Sequence, residues 1–217
     1  MKHADEAAKM RERRGLMYRF IARFYRREAD LAFLETLAAM RFPGGNGERE
    51  LFESYRLFTR FLEENGTGSD TEEALAADYA RIFLAAGRSD GEAAFPYESV
   101  YADRKRLVKQ EAWSDVRRIY REAGVGLSDA PADCLEDHIS CELEFMACLC
   151  GGQEEAAQEQ QAFLENHLLN WIPAFTEDVL KYAETDFYRA AAKMTRGFIL
   201  LEQSLLCEGG IESGTEA

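Results

Sequence analysis

Apolar side chains recur along most of the chain with the spacing of amphipathic helices. Segment 48–64 is representative, because Leu51, Tyr55, Phe58 and Leu62 fall on one stripe of a helix with ~3.6 residues per turn. No stretch alternates apolar and polar residues for more than a few positions, as a half-buried strand would. The pattern predicts helices over 5–27, 30–40, 48–64, 71–86, 102–123, 135–150, 153–182 and 185–206.

Glycine- and proline-rich breaks separate these segments, as in RFPGGNG at 41–47 and GVGLSDAPAD at 124–133. The sequence contains no internal repeat, and its glycines do not have the spacing of a phosphate-binding loop. We therefore expect an all-α protein of about eight to ten helices. It should form one multi-helix bundle over residues 1–207, followed by a flexible acidic tail at 208–217.

Composition is that of a soluble globular protein. Of 217 residues, 47% are apolar, yet no apolar run approaches the roughly 18 residues that a membrane span needs. The N-terminus lacks the uninterrupted apolar stretch of a secretory signal. The five cysteines are an odd number without a disulfide framework, which favours a reducing compartment, and we expect a cytoplasmic location.

Charge is distributed unevenly along the chain, whose net charge is −14. Residues 1–27 hold nine Lys/Arg, whereas residues 122–180 hold thirteen Asp/Glu and no Lys or Arg. Such an acidic segment repels nucleic acid and attracts a basic partner. A solvated helical surface that keeps the protein soluble would have the same composition.

Residues 133–150, DCLEDHISCELEFMACLC, concentrate the side chains that carry chemistry. Cys134, His138 and Cys141 would share one face of a helix starting at 135, with Glu142 or Cys148 as a fourth metal ligand. This heptad spacing differs from the paired C-x₂₋₄-C of zinc knuckles, and cysteines on helices are commonly small core residues. We therefore expect buried thiols and no metal.

Catalysis is not favoured by the same segment. Asp137 and His138 could form a tuned acid–base pair, but no motif marks a nucleophile or a phosphate loop. A His138–Glu142 pair one helical turn apart would have a structural role instead. In a helix starting at residue 135, Asp137 would lie on the solvent-facing side.

Three stretches, YARIF (79–83), PYESVY (96–101) and EDHISCELEFM (136–146), together with the run FLENHLLNWIPAF (163–175), match the motifs of a known family. They resemble the TorD/DmsD-type redox-enzyme maturation chaperones, and the resemblance extends from LMYRFIARFY (16–25) to DFYRAAAKMTRGFILLE (186–202). The chain departs from the usual Glu-Pro-x-Asp-His of that family, because Cys134 and Leu135 stand where Glu and Pro would be.

The resemblance implies an all-helical cytoplasmic chaperone of the TorD-like type that is not an enzyme and has no cofactor. Its expected partners are the twin-arginine signal peptide and the apoprotein of a DMSO reductase-like molybdoenzyme, together with molybdenum-cofactor biosynthesis proteins. It would assist cofactor insertion and proofread export as a monomer or homodimer, without binding nucleic acid or inserting into a membrane. Two alternatives stay open: an adaptor for an oxidoreductase subunit that does not recognise a signal peptide, and a nucleotide-binding hydrolase using Asp137 and His138.

The resemblance also suggests which side chains contact the client. Carboxylates pair with arginine in a two-point geometry, and aromatic residues and proline provide an apolar wall. Some of these residues could equally have structural roles: Tyr79 and Phe83 could be core residues, and Ser99 could cap a helix. We expect His167 and Trp171 to form a structural pair. The expected client-binding residues are Asp137, His138, Pro96, Tyr97, Ser99, Glu136, Glu142, Tyr79 and Phe83.

Overall fold

A computed structural model describes residues 2–43, 48–87, 89–126, 134–152 and 156–212. Within these ranges the chain forms α-helices, one π-helical turn and no β-strand, which confirms the all-α fold class. The helices are α1 (Lys2–Arg26), α2 (Leu31–Ala39), α3 (Arg49–Asn65), α4 (Ser69–Leu84), α5 (Glu98–Ala102), α6 (Glu111–Glu122), α7 (Ile139–Cys150), α8 (Ala156–Phe163), the π-helical turn (Leu164–Leu168), α9 (Leu169–Tyr182) and α10 (Asp186–Glu212). Over the described part of the chain, no helix has the length and apolar character that crossing a bilayer requires.

Most predicted helices begin and end within a few residues of the observed ones, but the helix predicted over 102–123 is wrong. The short α5 ends at Ala102 and α6 begins at Glu111. Between them Arg106 and Lys109 have φ angles of 51° and 60°, in the left-handed region that a right-handed helix excludes. The helix predicted from residue 135 begins only at Ile139, and α10 continues to Glu212, beyond the start of the predicted tail.

The chain divides into two compact units. The first unit comprises Met1–Tyr25, Tyr97–Trp171 and Glu202–Ala217, and the second comprises Arg26–Pro96 and Ile172–Leu201. A single domain over residues 1–207 therefore stays a prediction.

Each unit has its own buried apolar core. In the first unit α7 supplies much of it, because nearly every residue of this helix is buried. In the second unit aromatic rings dominate: Phe58 lies 5.4 Å from Phe187, and Phe83 lies 5.9 Å from Tyr188, measured between ring centroids. Such edge-to-face ring pairs stabilise a core beyond the area they bury.

A buried carboxylate fixes the start of α10 in the second unit. Asp78 of α4 is 1% exposed and accepts hydrogen bonds from the backbone N–H groups of Glu184 and Thr185, at 3.1 and 2.8 Å, and from the Thr185 hydroxyl at 2.6 Å. Arg81 pairs with the same carboxylate at 2.7 Å. These contacts satisfy donors that a helix N-terminus leaves unpaired, and they compensate the buried charge.

A glycine lets α10 approach the first turn of α3 within the second unit. The Glu48 carboxylate caps α3 by accepting from the Leu51 N–H at 2.7 Å. A Cβ atom added at Gly197 would lie only 2.7 Å from that Leu51 nitrogen, and it would overlap the Glu48 carboxylate. Only a residue without a side chain fits this contact, since a backbone atom cannot move aside as a side-chain end can.

Gly197→Ala should therefore destabilise the protein, by about 2 kcal/mol or more, through the clash and the lost cap. Gly15→Ala is the matched control, because the added Cβ would meet its nearest neighbours at 3.4 Å and the substitution favours α1 by about 1 kcal/mol. Urea unfolding of both variants measures the difference. A Gly197→Ala protein as stable as the wild type would show that α3 and α10 are not in tight contact here.

Candidate functional site

The loop before α5 is tied to the turn before α7 by backbone and side-chain hydrogen bonds. The Glu98 N–H donates to the Asp137 carbonyl at 2.9 Å, and Tyr97 and His138 form an isolated antiparallel bridge. Asp137 Oδ2 accepts from the Ser99 N–H at 3.0 Å and from the Ser99 hydroxyl. The PYESVY and EDHISCELEFM stretches therefore meet at this point of the first unit.

Two further carboxylates lie buried close to this junction. The Glu98 carboxylate accepts a hydrogen bond from Nδ1 of His167, in the π-helical turn, at 3.0 Å. Both side chains are almost fully buried. Glu142 Oε2 accepts from Trp171 Nε1 at 3.0 Å, while its Oε1 has no hydrogen-bond partner among the described residues. The predicted structural roles of His167 and Trp171 agree with these contacts, whereas the His138–Glu142 pair is not formed.

Burial makes this cluster unfavourable for negative charge. It raises the pKa of Glu142 well above its usual range, and the negative charge of Glu98 adds to the effect. It also raises the pKa of Asp137, although the hydrogen bonds from Ser99 oppose the shift. Perturbed carboxyl groups often mark functional sites, but here they are enclosed by hydrogen-bond partners that also hold the fold together.

Most of the nine expected client-binding side chains are buried. The placement of Asp137 on the solvent-facing side is wrong, because α7 begins only at Ile139 and Asp137 is 0% exposed. Pro96, expected to form part of an apolar wall for the client, is buried as well. Tyr79 and Phe83 belong to the second unit, where their rings lie 4.8 Å apart as core residues. The other buried members are His138, Ser99 and Glu142.

Only two of the nine expected residues are partly exposed. Tyr97 packs edge-on against the His138 ring at 5.1 Å. Glu136 accepts from Trp113 Nε1 at 2.7 Å and pairs with Arg117 at 2.9 Å. Because its carboxylate already has an arginine partner, Glu136 could contact a client arginine only by sharing or exchanging it. The client-binding role of all nine residues stays a prediction.

An apolar pocket of about 270 Å³ opens elsewhere in the first unit, between α6, α7, α8 and the π-helical turn. Its floor is apolar and largely buried, whereas Glu122 and Glu159 at its edge are exposed. In the described part of the chain Glu122 pairs with Arg118 at 3.1 Å, and Glu159 has no ion-pair partner. The lining residues are Ile119, Glu122, Ala123, Phe145, Leu149, Glu159, Ala162, Phe163, Asn166 and His167.

Sequence reasoning missed this pocket and two of the buried polar contacts. The Glu98–His167 pair joins residues in two of the matching stretches, so the resemblance contained a signal for it. In the other contact, Arg14 Nε donates to Glu202 at 2.8 Å and Nη2 donates to Gln160 at 2.8 Å. No local pattern marks that cluster, because its members are far apart in sequence.

Three potential metal ligands also converge at the start of α7. One ligand atom each from Cys134, His138 and Cys141 lies within 4.8 Å of the others. The other candidate ligands, Glu142 and Cys148, do not fit this group: Glu142 bonds to Trp171, and Cys148 is exposed two helical turns beyond Cys141.

Glu142→Gln should remove a pH-dependent penalty on folding. Because the pKa of Glu142 is raised above 4.5, the folded chain keeps this proton where the unfolded chain has released it. The contribution of Glu142 to wild-type stability should therefore fall as the pH rises above about 4.5. Glutamine keeps the acceptor for Trp171, so the variant should lose this part of the slope and be more stable at neutral pH.

Urea unfolding of wild type and variant at several pH values measures this effect, with the exposed Glu64→Gln as a control that should follow the wild type. A Glu142→Gln protein that is less stable than the wild type at every pH would show instead that the carboxyl group makes contacts that glutamine does not replace.

Comparison with known proteins places the chain among relatives of the expected kind. A family model described as "Nitrate reductase delta subunit" matches residues 47–177. The chain is 28% identical over 212 residues to "Chaperone protein TorD" of Vibrio cholerae serotype O1 (strain M66-2), covering 92% of this chain and 94% of the relative. It is 26% identical over 218 residues to the same-named protein of Vibrio parahaemolyticus serotype O3:K6, covering 93% and 98%.

A third relative is closer in identity over a shorter alignment. "Chaperone protein TorD" of Photobacterium profundum is 30% identical over 169 residues, which are 72% of this chain and 75% of the relative. The family match spans more than half of the chain, and it confirms the resemblance seen in the sequence. The chain therefore belongs to the TorD family, whose members are redox-enzyme maturation chaperones and not enzymes.

Proposed function

We propose that the chain is a cytoplasmic chaperone that binds the twin-arginine signal peptide and the apoprotein of a molybdopterin-dependent oxidoreductase. It would hold this client until the cofactor has been inserted and so proofread export. The observation that supports peptide binding best is the apolar pocket with an acidic edge, formed largely by the segment that lacks lysine and arginine. Family membership supports the redox-enzyme client.

The pocket has the chemistry that a signal peptide requires. Phe145, Leu149 and Phe163 are largely buried beneath it, so an apolar client side chain would replace water there. Its volume of about 270 Å³ is small for a ligand site, and it suits one or two anchoring side chains rather than a whole peptide. The rest of the peptide would lie across the surrounding surface.

Charge at the pocket edge complements paired arginines. Glu122 and Glu159 are exposed, and a guanidinium group can pair with a carboxylate through two parallel hydrogen bonds. Glu122 would share or exchange its exposed partner Arg118, as Glu136 would its Arg117. Lysine cannot form that geometry, so a peptide with both arginines changed to lysine should bind more weakly. This arrangement uses carboxylates other than the buried ones that the sequence pointed to.

The buried residues Asp137, Ser99 and Glu98 support the site indirectly. Their hydrogen bonds fix α5, the start of α7 and the π-helical turn, and α7 and that turn line the pocket. Substituting one of these residues would lower peptide affinity, because the residues that line the pocket would shift. It would also lower the stability of the fold. Tyr97 and Glu136 remain the expected residues best exposed for direct contact.

The double variant Glu122→Gln/Glu159→Gln should weaken binding of a synthetic twin-arginine signal peptide by about five- to tenfold, since exposed ion pairs contribute modestly. Its melting temperature should stay close to that of the wild type, because both side chains are exposed. Glu35→Gln/Glu64→Gln makes the same charge change at exposed sites of the second unit and should leave affinity unaltered. Isothermal titration calorimetry measures the peptide affinity of the wild type and of both double variants.

Equal peptide affinity in the two double variants would show that Glu122 and Glu159 do not bind the arginines of the peptide. Binding of an oxidoreductase apoprotein without binding of the isolated peptide would favour the adaptor alternative instead.

Peptide affinity should also fall with added salt. Attraction between exposed charges is screened over about 8 Å at physiological ionic strength, whereas apolar contacts are not weakened in this way. Titrations over an approximately tenfold range of sodium chloride test this, with the twin-lysine peptide as comparison. Affinity that stays constant or rises across the range would show that apolar contact alone carries recognition.

A further inference from the structure

The turn before α7 brings two cysteines together in a way that the helical wheel does not. The His138 N–H donates to the Leu135 carbonyl at 3.1 Å, closing a turn just before the helix. Cys134 lies at the start of this turn and is partly exposed, whereas Cys141 is buried in the first turn of α7. The two cysteines are therefore not seven residues apart on one continuous helix, as the sequence suggested. Cys134 lies in the turn before α7 and contacts Cys141 in the helix.

The distance between the two sulfurs suits a shared metal ion. Their Sγ atoms are 3.7 Å apart, much more than the roughly 2.05 Å of a disulfide. Two thiolates that bind one zinc ion at about 2.3 Å with tetrahedral angles are separated by about 3.8 Å. A thiol–thiol hydrogen bond has a similar length, so the distance alone does not select between the two.

A third potential ligand, His138, lies beside the two sulfurs. A ring nitrogen of His138 lies within 4.8 Å of both sulfurs. Its Nδ1 caps α7 by accepting from the Ser140 N–H at 3.2 Å, and it lies 2.8 Å from the Ser140 hydroxyl. Metal binding through Nε2 would move the ring proton to Nδ1, where the Ser140 hydroxyl can accept it and so orient the ligand.

We propose that Cys134, His138 and Cys141 bind one zinc-like divalent cation, with His138 contributing Nε2 and water completing a tetrahedron. Two sulfurs and one imidazole nitrogen suit Zn²⁺ rather than the hard cations Mg²⁺ and Ca²⁺. Cys134 provides access, since it is partly exposed. The ion would fasten the turn that carries Asp137 to the first turn of α7, independently of any client.

Cobalt is the probe that reads out this coordination directly. The full-length protein, kept reduced with a phosphine and stripped with a chelator, is titrated with Co²⁺. We expect one cobalt per chain, with sulfur-to-cobalt charge-transfer absorption and the visible bands of tetrahedral cobalt, both displaced by Zn²⁺. Zn²⁺ should also raise the melting temperature of the stripped protein, because the three ligands are brought together in the folded chain, which therefore binds the ion more tightly than the unfolded chain.

Three variants make the test specific. Cys134→Ser and Cys134→Ala should weaken cobalt binding at least about tenfold, and circular dichroism checks that both remain helical. The matched control is Cys148→Ser/Cys207→Ser, which removes the two exposed cysteines and should bind cobalt like the wild type. Three results would overturn the site: no charge-transfer band in the wild type, wild-type affinity in either Cys134 variant, or loss of binding in the control.

Discussion

The first unit depends on keeping three buried carboxylates hydrogen-bonded. Asp137, Glu98 and Glu142 are each at most 3% exposed, and a buried carboxylate without partners is strongly unfavourable. Ser99, His167 and Trp171 supply the partners. Because Glu98 and Ser99 are adjacent in sequence, α5 must satisfy the turn before α7 and the π-helical turn at once. The positions of these elements are therefore set jointly rather than pair by pair.

Periodicity predicted most helices because each buries one apolar stripe, a property that the sequence displays locally. It failed over 102–123, where left-handed Arg106 and Lys109 are neither glycine nor asparagine and give no signal. It also failed at the start of α7. The prediction that Asp137 faces solvent assumed a helix from residue 135. Asp137 in fact precedes α7, so helical periodicity does not determine where its side chain lies.

The candidate site was predictable only as a set of stretches. The resemblance selected the loop of Tyr97 and the turn of His138, which do meet, but hydrogen bonds such as Ser99–Asp137 and Glu98–His167 span 38 and 69 residues. Their burial depends on packing that no local pattern contains. The apolar pocket likewise exists only once α6, α7 and α8 are in place. Cys134, where the chain departs from the family motif, lies beside Cys141 for the same reason.

The lysine- and arginine-free segment that forms most of the pocket has a practical consequence. Trypsin cleaves after basic residues, so digestion would release everything from Glu122 to Lys181 as one long peptide. Lysine-directed cross-linkers would find no attachment point within it before Lys181. Mapping of a bound partner by mass spectrometry would therefore miss α7, α8 and the π-helical turn unless a glutamate-specific protease or carboxyl-group labelling replaced the usual reagents.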